Sequence, residues 1–136
     1  MIKDMQKFIN KLDLRALDIY DNSKFKENET SSLWQHTTKT NNTLITYFIN
    51  KRNQFLNFSA MIDIEMNDKF AWLEKLNDIN AQLACMGIAC SIDKESDAIV
   101  VNSMMFNEEE YDEEELVNLI NISILFIPTA IQKILN

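Results

Sequence analysis

His36 is the only imidazole among 136 residues, and Cys85 and Cys90 are the only thiols. Nucleophilic or acid–base chemistry would need one of those cysteines held against the ring. Nothing in their spacing brings them together, and a lone histidine near Trp34 reads as a strand residue rather than a base. One histidine and two cysteines so arranged match no zinc pattern. Gly87 is the single glycine, too few to cradle a phosphate in a glycine-rich loop. The densest titratable group is Glu108, Glu109, Glu110, Asp112, Glu113, Glu114 and Glu115. Adjacent exposed carboxylates stay ionised and solvated, and this run lacks the turn residues of a calcium loop. These residues predict no enzyme, no cofactor and no metal.

The net charge is −8, and the acidic run supplies most of it. The rest of the chain is nearly neutral and has no basic face for a nucleic-acid backbone. Carboxylates favour the positive end of a helix macrodipole, so the run suits the head of a helix. The alternative is an acidic inhibitor or nucleic-acid mimic, with residues 108–115 filling a basic site on a partner. With 46% apolar and 25% charged residues, residues 1–136 are expected to fold as a single domain. Met1-Ile2-Lys3-Asp4 leads into no signal-type apolar core, and Asn118, Asn121 and Ser123 interrupt the most apolar stretch. A cytoplasmic protein with no membrane contact and two reduced, buried thiols is the expectation.

The elements that would position these groups centre on 67–87. There Phe70, Leu73, Leu76, Ile79, Leu83 and Met86 recur at steps of three and four, which predicts one apolar helical face. Asn67 or Asp68 is the expected N-cap, and Gly87 the left-handed residue past the end. Residues 2–18 predict a first helix with a basic stripe of Lys3, Lys7, Lys11 and Arg15, a solvated face or a contact for an acidic partner. A polar, mobile loop is expected over 21–32. Strands follow over 33–39, 43–50 and 55–65, the last with period-two alternation. Beyond the central helix, strands at 88–93 and 98–106 predict a hairpin. A final helix from Asp112 is apolar nearly all round, and Pro128 should kink or interrupt it. The order is α-β-β-β-α-β-β-α, an α+β fold with an antiparallel sheet packed on helices.

Binding is the better-supported class. Ile45, Tyr47 and Ile49 oppose Leu44 and Phe48, so that strand is apolar on both faces. It is either a central strand covered twice or a strand with pockets for an added peptide. Met104 and Met105 add adaptable surface if exposed, or filler if buried. The segment WLEKLNDINAQLACMGIACSIDKESDAIVV, with Leu76, Asn77 and Asn80 on its helix, resembles the type III secretion chaperone-like fold and its YbjN-like relatives. The likeness spans roughly 40–135, although the turn at Lys94–Asp97 lacks their usual glycine. It implies a small, acidic, non-enzymatic, chaperone-like or regulatory protein, a homodimer that holds a client segment. On that likeness the client would lie along the first helix and sheet, at Met5, Phe8, Ile9, Ile45, Tyr47 and Ile49. Leu76, Asn77, Asn80 and Leu83 are the expected dimer interface, since asparagine weakens a helix interior unless packing or hydrogen bonds use it.

Overall fold

In the computed structural model, which describes residues 2–19, 24–28 and 30–136, the central helix α2 runs over Lys69–Leu83. Asp68 caps it, its carboxylate accepting the Ala71 N–H at 3.2 Å. A 3-10 turn over Ala84–Met86 extends it, and Gly87 then takes φ 69°, the left-handed conformation expected of the one glycine. The stripe that α2 buries is narrower than its sequence predicts. Leu76, Ile79 and Leu83 are core, while Phe70 is 81% exposed and Leu73 and Met86 are also exposed. Apolar spacing shows that a stripe exists, but the sheet beneath sets where its centre falls.

The strands are β1 (Lys24–Glu27), β2 (Ser31–Thr40), β3 (Thr43–Arg52), β4 (Phe55–Asp63), β5 (Ala89–Asp93), β6 (Ala98–Asn102) and β7 (Phe106–Asn107). They form one antiparallel sheet in the order β1-β2-β3-β4-β6-β5, with β7 also on β4. The fold is α+β, and its element order carries two strands more than expected, β1 and β7. Phe25 pairs with Trp34 to build β1 from a segment read as loop, because cross-strand pairing outweighs local polarity. Residues 21–23 and 29 of that segment lie outside the described residues. Asn41 and Asn42 both take positive φ, so a two-residue primed turn joins β2 to β3. At the β5–β6 turn the left-handed position falls to Asp97, without glycine.

The remaining helices are α1 (Met5–Asn10) and α3 (Glu113–Leu135). The first is far shorter than predicted. The chain leaves the helix at Lys11, Asn121 Oδ1 accepts the Asp13 N–H at 2.8 Å, and a 3-10 turn follows at Leu14–Leu17. The predicted basic stripe is therefore split between elements, and Lys11 pairs with Glu113 at 3.2 Å. The last helix begins as expected. Asp112 and Glu115 form a capping box in which each side chain accepts the other's backbone N–H. It continues through Pro128 uninterrupted, because Ile124, Ile127, Ala130 and Ile131 are buried on either side of the missing hydrogen bond.

All three helices cover one sheet face. Phe8 and Ile9 of α1, Leu76 and Leu83 of α2, and Leu116, Ile120 and Ile124 of α3 close over Ile49, Phe58, Ile62 and Ile99. By length and mean hydropathy (1.4) α3 alone among the described residues could cross a membrane, contrary to the expectation that its polar residues forbid this. Eight of its residues are instead buried against this chain.

Candidate functional site

Among the described residues the single imidazole has no partner for catalysis. His36 stacks on Trp34 (6.4 Å between centroids, 14° between planes) and lies opposite Tyr47 across the β2–β3 pair. Its Nδ1 is buried without a hydrogen-bond partner among the described residues. The row His36, Tyr47, Ala60, Val101, Cys90 runs across five strands from β2 to β5, one residue per strand. Histidine and cysteine therefore stand four strand spacings apart, roughly 19 Å. Burial pushes the Cys90 thiol up to about 11, away from nucleophilic use. Cys85 is exposed, not buried as predicted, and both thiols are free. Burial, and then the charge of Asp18, raise the Tyr47 phenol above its ordinary value. Among the described residues no group of three or more His, Cys, Asp or Glu could hold a metal.

The acidic run divides into structural and outward members. Glu108 is 1% exposed, accepts the Ile2 N–H at 3.0 Å and lies 3.2 Å from Lys51 Nζ. Asp112 and Glu115 cap α3, and Glu113 meets Lys11. Glu109, Glu110 and Glu114 remain as outward carboxylates with no ion pair among the described residues.

The six residues assigned to a client lie inside. Met5, Phe8, Ile9, Ile45, Tyr47 and Ile49 are all buried, members of the one core cluster to which α1 and β3 both contribute. As folded they offer nothing to a partner. Two of the four interface residues, Leu76 and Leu83, are likewise core. Asn77 is exposed. Asn80 has an internal use: its Nδ2 donates to the Cys90 carbonyl at 2.9 Å, and its Oδ1 accepts the Cys90 N–H at 2.6 Å. A side-chain amide thus stands in for a neighbouring strand on the free edge of β5, blocking one register of edge pairing. Asn80→Ala should lower stability by about 1–3 kcal/mol and increase aggregation, since it leaves two backbone groups unpaired. Urea unfolding and light scattering check both; an unchanged midpoint contradicts the assignment.

No known family model matches this sequence, and no curated protein does.

What remains outward are two kinds of surface. The outer side of α3 exposes Leu125 (61%) and Ile122 (48%), flanked by half-buried Leu119 and Phe126. From Leu116 to Gln132 the helix carries no charged residue. The second is the sheet face away from the helices. Phe48, Met61 and Val100 lie there among Gln35, Thr37, Thr46, Asn50, Ser59 and Asn102, with no charge at the centre. Charge depletion of this kind marks the cores of protein interfaces. The sequence does show α3 as apolar all round. That its outer half stays open follows from the helix count: α2 crosses only the C-terminal end, where Lys75 donates to the Ile134 carbonyl and Lys133 to Gln82.

Proposed function

We propose that this protein is a non-enzymatic, chaperone-like or regulatory binding module of the cytoplasm, a homodimer that holds a client polypeptide segment. The observation that carries the reading is the open apolar side of α3. A central helix, the β5–β6 hairpin and an acid-headed last helix also support the resemblance to type III secretion chaperone-like and YbjN-like proteins. The buried positions of Leu76 and Leu83 move the proposed dimer contact from α2 to α3.

A second copy is the occupant best matched to that side. Isologous contacts need a surface complementary to itself under a two-fold axis. Antiparallel pairing of two α3 helices about the point between Ser123 and Ile124 sets Ile122 against Leu125, and about the same point Glu114 against Lys133. The apolar pair and the ion pair thus share one axis. From Leu116 to Gln132 the helix is uncharged, so two chains of net charge −8 meet where repulsion is least. Static light scattering over a dilution series should give twice the 15.9 kDa chain mass at the upper concentrations. A single-chain mass at every concentration overturns the dimer.

The acidic-mimic alternative retains Glu109, Glu110 and Glu114 as its contact groups. Exchanging Glu109 and Glu110, which take no part in the proposed dimer contact, for glutamine should leave fold, dimer mass and recovery of protein partners unchanged, as circular dichroism, light scattering and affinity capture would show. Loss of partner capture with an intact fold would favour the mimic.

A further inference from the structure

The open sheet face carries a cleft of about 500 Å³ at the end where β2, β3 and β4 meet β6. Leu33, Phe55 and Met105 form apolar walls, Phe55 and Met105 well exposed. Its floor is a row of amides, Asn50, Asn57 and Asn102, on three adjacent strands. Each amide has two donor hydrogens and an acceptor oxygen. Asn50 donates to Ser59 Oγ at 3.4 Å and Asn57 to Asn102 Oδ1 at 3.5 Å, both near the limit of a hydrogen bond. The row therefore keeps capacity for a ligand. Its charge is one-sided. Among the described residues no carboxylate lines the cleft, Lys51 is paired with Glu108, and Arg52 has no ion-pair partner.

We infer that this cleft binds a short extended polypeptide segment carrying a carboxylate next to an apolar side chain. Arg52 takes the carboxylate, for which a guanidinium offers paired donors. Leu33, Phe55 and Met105 take the apolar side chain. The amides pair with the segment's main-chain N–H and C=O groups. This molecule already uses that device once, where Asn80 holds both backbone groups of Cys90. The inference names a site for the client in the binding-module reading and is independent of the dimer, because the cleft lies on the sheet face opposite α3.

The test is fluorescence anisotropy with a labelled heptapeptide alternating leucine and aspartate, against the same peptide with lysine or asparagine in place of aspartate. Saturable binding of the aspartate peptide is expected, with each comparison peptide at least about ten-fold weaker, the loss of one charged contact. Arg52→Gln should weaken the aspartate peptide by a similar factor and abolish its preference over the asparagine peptide. Met105→Ser, at a side chain 62% exposed, should weaken all three peptides with the fold intact. No binding of the aspartate peptide, or binding unaltered by both substitutions, overturns the inference. A dimer that binds no such peptide would separate that outcome from failure of the dimer reading.

Discussion

Glu108→Ala should lower the unfolding free energy by about 3–5 kcal/mol, the cost of stranding the partner of a buried ion pair. Lys51 is mostly buried and within 3.2 Å of that carboxylate. Removing it leaves the ammonium without a counter-charge and the Ile2 N–H without an acceptor. The same carboxylate joins three distant pieces of chain: the N-terminal segment, β3 and the turn before α3. Differential scanning calorimetry should record a Tm lower by roughly 10 °C or more. Replacing both partners by apolar residues, Lys51→Met with Glu108→Leu, should recover much of the loss, because neither charge is then buried alone. A Glu108→Ala midpoint equal to that of the unaltered chain would mean that Lys51 reaches water in the variant. Glutamine at Glu109, Glu110 and Glu114 together should cost almost nothing by comparison.

Charging the outer side of α3 should act on assembly and spare the fold. Ile122→Glu with Leu125→Glu places two carboxylates per copy where the proposed axis brings the helices together. Both side chains are about half exposed or more in one chain, so the unfolding free energy of the monomer should change by only about 0.5 kcal/mol. Burying a large aliphatic side chain contributes roughly 1.5–3 kcal/mol. Losing that contact in both copies, with four carboxylates opposed, should weaken the dimer by at least about 100-fold. Analytical ultracentrifugation reads the mass and circular dichroism the fold. Lys133→Glu should weaken the dimer less, since exposed ion pairs contribute about 1 kcal/mol or less.

Much of this architecture is legible in the residues, and its gaps have physical causes. Alternation over Leu56, Phe58, Ala60 and Ile62 marks β4, and those four side chains are core. Asp68, Gly87 and Asp112 end or begin helices for the stereochemical reasons their types suggest. Ile45, Tyr47 and Ile49 mark an apolar face of β3, but not what covers it; the cover is this chain's own core. Asn80 reads as a weak helix residue, and its use appears only once β5 lies beside α2. Glu108 is indistinguishable in sequence from its solvated neighbours, because Lys51 and Ile2 meet it from far along the chain. The amide row is invisible for the same reason: Asn50, Asn57 and Asn102 become neighbours only through strand pairing.

The most direct measurement is an isotope-filtered NOE experiment on a mixture of labelled and unlabelled chains. Cross-peaks between the methyl groups of Ile122 in one copy and Leu125 in the other are expected. Absence of any intermolecular peak from those methyls, in a sample whose mass is that of a dimer or of a single chain, would contradict α3 as the place where two copies meet.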